Sequence, residues 1–435
     1  MSGLSKKTLL VACAVAVAAS FAVLAPLASA IVTPTFTISP GPITLNGVSN
    51  AGEPSIGADL ATGAFLFEAS ATTYKIVISG GSATWTSAAR PVTTPNLDPI
   101  LATDPATGRT WAGGLDGSCS ILSYTDDDGA SWTPVANSCS GTIDHETIGA
   151  GPWHNGVGPA GATSSRAVYY CAQESRDACA VSLDGGLTFA PPLVVNGACG
   201  SLHGHVKVSS FGVAFLPNDH CGGPAGGAIN VANGLAWNSY TISGSCAATT
   251  FDPSVGTTDS GWVYEAWQGC DNHMHVALSK DNATTWINAT DLSTSISPSV
   301  LIGTMPAVVA GVDNRAAVAY LGSTTGGNGF TSSFAGTWDL YVSYTYDGGH
   351  SWTTVKVTSD PVQRGWICAG GITGCSGPGR NLLDFIDATA DASGNVVVAF
   401  ADGCINVCAG ATGTSAQSTS AWATIAAQTG GTPLR

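Results

Sequence analysis

The chain has 435 residues, of which 14 are Lys or Arg and 29 are Asp or Glu, so its formal net charge is −15. Charged residues make up 10% of it, against about 25% in a typical soluble domain, and so few cations exclude a nucleic-acid binder that relies on phosphate contacts. A hydrophobic fraction of 44%, with 12 Trp, excludes a disordered chain.

The first segment has the pattern of a secretory signal peptide. Lys6 and Lys7 precede a long apolar run, and Ala28-Ser29-Ala30 offers a small-residue cleavage site. We therefore expect residues 1–30 to be removed on export and residues 31–435 to form one domain. An uncleaved anchor is the alternative. Because no second long apolar segment follows, we predict no stable membrane insertion of the mature protein, which would be secreted or held at the cell envelope.

A repeated unit follows, in which a polar start, often with Pro after it, precedes a strand, a turn and a second strand. The starts are mostly about 50 residues apart, close to the period of a four-stranded propeller blade. We predict an all-β fold, a seven-bladed β-propeller, with six blades as the alternative. The unit starts are Glu53, Asp98, Asp144, His203/His205, Asp252, Met305 and Asp384.

The last unit is predicted to close the ring. It offers three strands of its own, over residues 384–389, 396–400 and 421–428. An open ring would leave an unpaired strand edge. We therefore predict that residues 35–43 add the fourth strand, so that both termini share one blade.

A second pattern, Ser/Thr-x-Asp-x-Gly with an aromatic residue three positions later, indicates hairpin turns. The Asp can accept hydrogen bonds from turn N–H groups, the Gly can adopt a positive φ, and the aromatic ring is expected to pack beneath the hairpin. The copies occupy residues 125–132, 182–189 and 345–352. A degenerate copy at 279–286 has Ala283 in place of Gly.

The cysteines indicate an oxidising compartment. Of 13 cysteines, Cys13 lies in the signal segment, which leaves an even number, 12, in the mature chain. A zinc site near the C-terminus is the alternative, but no His lies nearby, which favours disulfides. We predict neighbour pairing: Cys119/Cys139, Cys171/Cys179, Cys199/Cys221, Cys246/Cys270, Cys368/Cys375 and Cys404/Cys408.

Innermost propeller strands line the central tunnel, so the polar unit starts are expected to meet at one tunnel mouth. On a regular strand Asp144 and Glu146 would share one face, with His145 on the other. Repulsion between two buried carboxylates would raise one pKa, as a general acid requires. The alternative is that each Asp caps a turn. The candidate catalytic carboxylates are Asp98, Asp144, Glu146, Asp252 and Asp384.

Two histidine pairs have the spacing of one strand face. His203 and His205 begin an inner strand, and with His145 they are candidates for substrate binding. A metal held by these three imidazoles is the alternative, and the prediction is that no metal or cofactor is needed. His273 and His275 lead into a turn far from the predicted mouth, so we expect a structural role for them.

Cations are scarce, so their positions are informative. Arg364 and Arg380 lie in the long connection 360–383, which also carries Trp366. Loops on a rigid scaffold commonly carry binding groups. We predict that the two arginines bind an anionic substrate group and that Trp366 contacts a sugar face. A structural salt bridge between Arg380 and Asp384 is the alternative.

The four Asp-containing blocks resemble the Asp-box, or BNR, repeats of sialidases and related secreted propellers. The resemblance implies a propeller over nearly the whole mature chain. Sialidases typically use an Arg triad, a Tyr/Glu nucleophile pair and an Asp acid/base, with an aromatic-Arg-Ile-Pro segment near the start. That segment is absent here, where the first Arg after the signal is Arg90. The chain is more similar to secreted proteins known only as sialidase-like.

Together these patterns predict a secreted, sialidase-like glycoside hydrolase that acts on extracellular glycans. One carboxylic acid among Asp98, Asp144 and Glu146 would protonate the leaving oxygen, while Asp252 or Asp384 would act as nucleophile or base. The expected partner is a glycan or glycoconjugate. The alternative is a noncatalytic secreted or cell-surface propeller that binds a glycan, a cation or a protein at its tunnel mouth, because the fold alone does not decide function.

Overall fold

Short strands separated by glycine-containing turns make up nearly the whole protein. The computed structural model describes residues 30–42, 44, 51–69, 72–91, 97–116, 119–135, 138–139, 144–173, 176–195, 202–375, 378–405, 408–409, 418 and 420–435. The predicted signal segment lies outside these residues except for Ala30. Residues 32–435 form one compact unit. None of the described helices is long and apolar enough to cross a membrane.

The described strands form seven antiparallel sheets, the blades of a β-propeller. The first strand, β1 (Thr35–Pro40), belongs to the last blade. Blade 1 contains β2 (Ser55–Ala58), β3 (Phe65–Ala69), β4 (Thr72–Ser79) and β5 (Ser82–Ser87). Blade 2 contains β6 (Leu97–Thr103), β7 (Thr110–Asp116), β8 (Cys119–Thr125), β9 (Thr133–Pro134) and β10 (Ser138–Cys139). Blade 3 contains β11 (Asp144–Pro152), β12 (Arg166–Gln173), β13 (Asp177–Ser182) and β14 (Leu193–Val194).

The remaining four blades follow the same order along the chain. Blade 4 contains β15 (Lys207–Val208), β16 (Ala214–Asn218), β17 (Gly226–Asn230) and β18 (Asn238–Thr241). Blade 5 contains β19 (Ser254–Thr257), β20 (Val263–Gln268), β21 (Met274–Ser279) and β22 (Ile287–Asp291). Blade 6 contains β23 (Ile302–Ala310), β24 (Ala316–Ser323), β25 (Thr337–Thr345), β26 (Thr353–Lys356) and β27 (Gln363–Arg364). Blade 7 contains β28 (Asp387–Ala390), β29 (Val396–Asp402), β30 (Trp422–Gly430) and β1.

Helical structure among the described residues is limited to single turns in the connections. One short helix, α1 (Gly371–Gly374), lies between blades 6 and 7. The 3-10 turns are His154–Gly156, Leu292–Thr294 and Pro378–Arg380.

The seven blades close into a ring, as predicted. The innermost strands, β2, β6, β11, β15, β19, β23 and β28, each contact the next, and β28 contacts β2. The ring is closed within blade 7, where β1 pairs antiparallel with β30. The predicted sharing of one blade by the two ends of the domain is therefore confirmed. The innermost strands of all seven blades line a central channel of about 230 Å³.

The Asp-containing turns share one hydrogen-bond arrangement. In the turn after β13, the Ser182 hydroxyl donates to Asp184, the Gly186 N–H donates to Ser182, and Asp184 accepts from the Thr188 N–H at 2.9 Å. The turns that begin at Thr125, Ser279 and Thr345 repeat it. In the degenerate copy Ala283 has a φ of 59°, so an alanine occupies the left-handed conformation that the other copies give to glycine.

The aromatic residue of these turns connects neighbouring blades. Trp286 of blade 5 stacks on Tyr240 of blade 4 at 5.7 Å, and Trp352 of blade 6 meets Tyr264 of blade 5 edge-on. Trp132 of blade 2 donates its indole N–H to Ala88, which follows blade 1. The three Trp rings therefore pack against the preceding blade, whereas the sequence suggested only that they pack beneath their own hairpin. Phe189 of the remaining copy contacts Tyr170 of its own blade.

Four predicted disulfides are present among the described residues: Cys171–Cys179, Cys246–Cys270, Cys368–Cys375 and Cys404–Cys408. Cys221 also forms a disulfide, but its predicted partner Cys199 lies outside the described residues. The side chains of Cys119 and Cys139 lie outside them too, although their backbones are register partners in blade 2. The pairs at Cys368 and Cys404 favour disulfides over the alternative zinc site.

Candidate functional site

A shared backbone irregularity lies where the innermost strands begin. In blades 2, 3 and 6 a bulge interrupts the pairing of the innermost strand with its neighbour. The residue two positions before the first pair after the bulge has a positive φ, 48° for Asp98, 46° for His145 and 52° for Met305. Glu53, two positions before the first pair of blade 1, has a φ of 52°. A bulge at the end of a strand redirects the side chain that it carries. We call this position the mouth position. In blades 5 and 7, where the residue has no positive φ, it is the residue two positions before the first strand pair.

The mouth position of blade 4 follows from hydrogen bonds between blades. The Val206 N–H donates to the Thr147 hydroxyl at 3.0 Å in the way that the Val308 N–H donates to the Ser254 hydroxyl at 3.0 Å. Met305 lies three residues before Val308, and His203 lies three residues before Val206, so His203 occupies the mouth position of blade 4. Around the ring, the mouth positions are Glu53, Asp98, His145, His203, Asp252, Met305 and Phe385.

This alignment corrects the predicted ring of unit starts in two blades. Asp144 and Asp384 each precede the mouth position by one residue, so His145 and Phe385 occupy it instead. The expected alternation of Asp144 and Glu146 on one face also fails, because the bulge interrupts the strand between Asp144 and Thr147. As a result Asp144 is exposed, whereas Glu146 is only 2% exposed.

A small cavity of about 90 Å³ opens at this mouth. It contains four of the five predicted catalytic carboxylates and one predicted imidazole. The lining residues are Asp98, Asp144, His145, Asp252 and Asp384, with Leu202, Thr250, Phe251, Ala369 and Gly371. Residues from six separate parts of the sequence therefore meet at one place. A volume of this size holds about three water molecules, so a larger ligand would extend outside the cavity.

Asp98 is the carboxyl group of the cavity whose pKa is raised toward neutral pH. Burial, together with a hydrogen bond to the Asp144 side chain, raises the pKa of Asp98 to about 6. Its Oδ2 atom also accepts the backbone N–H of His145 at 3.2 Å. Asp98 and Asp144 thus form a carboxyl pair suited to holding one proton.

His145 carries a positive charge opposite Asp252. Burial alone would lower its pKa, but the Asp252 carboxylate, 3.0 Å from Nε2, outweighs burial and raises the pKa of His145 to about 10. Both side chains are largely buried. The imidazolium therefore compensates the negative charge of Asp252 inside the mouth.

The other two imidazoles lie behind His145 and do not line the cavity. His203 is fully buried with its ring 5.0 Å from that of His145, and burial with the nearby His145 charge lowers the pKa of His203 to about 3. His205 lies 3.8 Å from Asp387 and packs edge-on against Phe385. Asp387 in turn accepts the Ile56 N–H, which joins blade 7 to blade 1.

Glu146 is also set back from the cavity. Among the described residues neither of its carboxylate oxygens has a hydrogen-bond partner. Burial and the neighbouring Asp98 raise the pKa of Glu146 well above the ordinary value. The raised pKa favours the protonated form of the group, but Glu146 does not line the cavity.

The predicted cationic residues are engaged with protein groups. Both guanidinium ends of Arg380 bind the carboxylate of Asp384, and Glu53 lies 4.0 Å away and accepts the Asp384 N–H. This is the structural salt bridge that the sequence left open as the alternative. Burial and the nearby carboxylates Asp98 and Asp384 raise the pKa of Glu53.

Arg364 and Trp366 do not line the mouth cavity. The guanidinium of Arg364 donates to the carbonyl oxygen of Cys408 at 2.9 Å. Trp366 packs against the largest apolar core, and a Cβ at Gly379 would meet its ring within 3 Å. These contacts brace the long connection between blades 6 and 7.

Sequence reasoning missed the mouth residue Phe385, and it placed Glu53 in the ring of unit starts without naming it as a catalytic or binding candidate. Phe385 holds His145 and His205 in place through ring contacts at 5.8 and 4.8 Å. The available signal was the repeat register: Pro54, Pro99, Pro253 and Pro306 each follow a mouth position, and a unit without Pro has to be aligned by its strand pairs.

Among the described residues, one set of three side chains is close enough together to hold a metal ion: Asp271, His273 and Asp291. None of them lines the mouth cavity. The mouth offers instead carboxyl groups with separated roles, since Asp98 holds a proton while Asp252 faces an imidazolium. Such a division between an acid and a carboxylate is what general acid/base chemistry uses.

No protein-family model matches the chain, and no curated protein matches it by sequence. Among solved structures, U3-55K is similar over 91% of this chain and all of its own, with a TM-score of 0.51 and 8% identity. This likeness supports the propeller fold and no more.

Two further solved structures resemble the chain more weakly. The six-bladed, fucose-recognising lectin of Aleuria aurantia covers 71% of this chain and 96% of the lectin, with 14% identity and a TM-score of 0.43. The similarity to the intramolecular trans-sialidase of Ruminococcus gnavus covers 88% of this chain and 96% of the trans-sialidase chain, with 10% identity and a TM-score of 0.40. At these values the likenesses do not bear on function.

Proposed function

We propose that this protein is a secreted, sialidase-like propeller that hydrolyses a glycosidic bond of extracellular glycans at its tunnel mouth. The four Asp-containing turns would be Asp-box repeats, residues 1–30 a signal peptide and residues 31–435 the mature domain. The disulfides agree with export to an oxidising compartment.

The observation that carries the proposal is the Asp98–Asp144 carboxyl pair at the cavity wall. A general acid has to be protonated at the working pH and within reach of the leaving group. Asp98 meets the first condition with a pKa of about 6, and it meets the second because it lines the cavity. Glu146 has a raised pKa but lies behind the wall.

Asp252 is the better candidate for the second carboxylate. Glycosidases pair the acid with a carboxylate that acts as nucleophile or base. Asp384 lines the same cavity, but both of its oxygens are bound by Arg380. Asp252 contacts His145 through Oδ2. In the proposed mechanism its other oxygen would meet a water molecule or a sugar carbon.

The substrate unit at the mouth is proposed to be uncharged. Recognition of a carboxylate or sulfate needs an accessible guanidinium or ammonium group. Neither arginine predicted for this role lines the cavity, and Arg380 is committed to Asp384. The acidic mouth would repel an anionic sugar, so neutral glycosides are the preferred class.

A noncatalytic binding module remains the second candidate, favoured by one feature. The charged groups at the mouth satisfy one another, as in His145 with Asp252 and Arg380 with Asp384. A mouth of this kind suits binding of a small neutral group without proton transfer.

The test is turnover of 4-nitrophenyl and 4-methylumbelliferyl glycosides, covering neutral hexosides, hexosaminides and a sialoside. The purified mature protein should release the chromophore from a neutral member. Asp98→Asn should lower kcat by about 10²–10⁴-fold, the usual contribution of a general acid. Asp252→Asn should be similarly impaired.

Asp360→Asn is the matched control, because Asp360 is an exposed carboxylate that does not line the mouth. It should leave kcat and KM unchanged. Turnover that survives substitution of Asp98, Asp144 and Asp252 one by one would exclude this mechanism. Saturable sugar binding without any turnover would support the binding module instead.

A further inference from the structure

A second cavity lies on blade 5 and is larger than the mouth. It has a volume of about 490 Å³, within the range of about 300–1,000 Å³ common for small-molecule sites. One wall is the loop 242–246, and the other is formed by β20, β21, β22 and their turns. The Cys246–Cys270 disulfide connects the two walls. We refer to this cavity as the blade 5 cleft.

The polar groups of the cleft are arranged by short hydrogen bonds. Asp271 accepts from the His275 Nε2 atom at 3.0 Å and from the His273 N–H at 3.0 Å. Asp291 pairs with His273 Nδ1 at 2.9 Å. A Cβ at position 269 would lie within 2.6 Å of side-chain atoms of Asp271 and His275. Glycine at this position therefore leaves room for these two side chains to lie against the backbone. The side chains of Asp271 and His275 are about half and one quarter exposed.

An unsatisfied donor belongs to the same cleft. Trp267 lines it, stacks on His275 at 5.7 Å and is only 3% exposed. Its indole N–H has no hydrogen-bond partner among the described residues. Buried polar groups are normally satisfied, so a donor left over beside a cavity points to an acceptor that enters from outside.

The lining of the cleft selects the chemistry of that ligand. It contains two carboxylates, Asp271 and Asp291, an imidazole and several small hydroxyl residues, and no Lys or Arg is among its lining residues. Carboxylates accept hydrogen bonds from sugar hydroxyls, while an anionic group would be repelled. The His275 ring in the wall is about one quarter exposed and can contact the apolar face of a sugar ring.

We propose that the blade 5 cleft is a binding subsite for a neutral saccharide unit. A ligand hydroxyl would accept the indole N–H of Trp267, and its other hydroxyls would donate to Asp271 and Asp291. The size of the cleft admits a mono- or disaccharide. Nothing in this assignment requires chemistry in the cleft itself.

The cleft and the mouth are linked by one chain segment. Residues 242–246 form the cleft wall, and the same loop continues to Thr250, Phe251 and Asp252 at the mouth cavity. The mouth cavity is too small for more than the reacting part of a sugar, whereas the cleft holds a whole unit. Resting on the proposed function, the cleft would bind a distal unit of the glycan whose bond is cleaved at the mouth.

The experiment measures binding of lactose, cellobiose, chitobiose and 3′-sialyllactose to the full mature protein by calorimetry. Ala289 lines the cleft and is exposed, so Ala289→Trp should fill the cleft without disturbing the core. We expect a neutral disaccharide to bind at least tenfold more tightly than 3′-sialyllactose. Ala289→Trp should weaken that binding by at least tenfold. Trp267→Phe, which removes the N–H together with the pyrrole part of the ring, should weaken it by about threefold or more.

Ala106→Trp is the matched control, because Ala106 is an exposed alanine on the turn between β6 and β7, and it should bind like the unmodified protein. The proposal is overturned if no neutral saccharide binds, or if Ala289→Trp binds as well as the unmodified protein. Asp98→Asn separates the two proposals. It should abolish turnover while leaving cleft binding intact. Cleft binding without any turnover would mean that the catalytic proposal fails and the subsite stands.

Discussion

At the scale of single residues, Asp98 is the group whose ionisation should set the pH dependence of the mouth. A general acid acts only while it is protonated, so activity should fall as the pH rises above about 6, the pKa of Asp98. The profile of kcat/KM between pH 4 and 9 measures this descending limb. A limb that is unchanged in Asp98→Glu, or a plateau through pH 8, would assign the proton to another group.

The same pKa has a consequence for stability. The folded value of about 6 exceeds the ordinary 3.8, so the folded protein keeps a proton that the unfolded chain releases between about pH 4 and 6. The contribution of this group to stability is present at low pH and lost as the pH rises through 6. Asp98→Asn keeps an acceptor for the His145 N–H and should be more stable than the unmodified protein at pH 7, by about 1–3 kcal/mol.

Urea unfolding at pH 4 and pH 7 would measure this difference. The stabilisation by Asp98→Asn should be present at pH 7 and absent at pH 4. An equal effect at both values would mean that the substitution acts through packing and not through the proton. Asp360→Asn, at an exposed position, should change neither value.

At the scale of elements, the Asp-containing turns should behave as local folding units. Burial would raise the pKa of Asp184, but hydrogen bonds from Thr188 and Ser182 outweigh it and lower that pKa. Its contribution is therefore present at neutral pH and lost as the pH falls through its folded pKa. Asp184→Ala should cost about 0.5–2 kcal/mol at pH 7, the size of a lost capping interaction, and less at pH 3.

Thermal unfolding at both pH values tests the role of Asp184. Asp360→Ala serves as the control at an exposed position without turn hydrogen bonds to backbone N–H groups. An effect of Asp184→Ala that does not decrease at low pH would show that the side chain acts through its bulk and not through its charge.

The strand repeats were predictable because turn chemistry and alternation are local properties of the sequence. The strand register at the mouth was not predictable. A bulge shifts it by one residue, and a unit without Pro has no sequence pattern that indicates the bulge. For this reason Asp144 and Asp384 were placed in the ring instead of His145 and Phe385. The pairing of Arg380 with Asp384 was among the predicted alternatives, but local sequence could not choose between a structural and a binding role.

The blade 5 cleft shows the same limit. His273 and His275 were expected to be structural, and nothing in their spacing places them beside Trp267 and the Cys246–Cys270 bridge. A cavity formed where two blades meet depends on the packing of elements that are distant in sequence. The cysteine spacing predicted the Cys246–Cys270 disulfide that connects the two walls, but it did not predict the cavity between them.

At the scale of the whole molecule, stability depends on the closure of blade 7. Strand β1 covers the edge of β30, and the Thr432 N–H donates to Val32 beyond the strand end. Deleting residues 31–40 would expose that edge. We expect the melting temperature to fall by at least about 10 °C, with aggregation on heating.

Calorimetry of the truncated and intact mature chains measures this fall. A chain that lacks only residues 1–29 should melt like the full chain, which separates ring closure from a general effect of shortening. Unfolding at an unchanged temperature after removal of residues 31–40 would mean that the propeller does not need the β1 strand for its stability.

The mouth position also has a geometric consequence. The backbone repeats seven times around the axis, but the side chains that it presents do not. Five successive blades contribute Glu53, Asp98, His145, His203 and Asp252, and the remaining two contribute Met305 and Phe385. One arc of this ring is therefore polar and the other is apolar. The three mouth residues that line the cavity, Asp98, His145 and Asp252, all belong to the polar arc, so a ligand in the cavity would meet that arc and not the whole sevenfold ring.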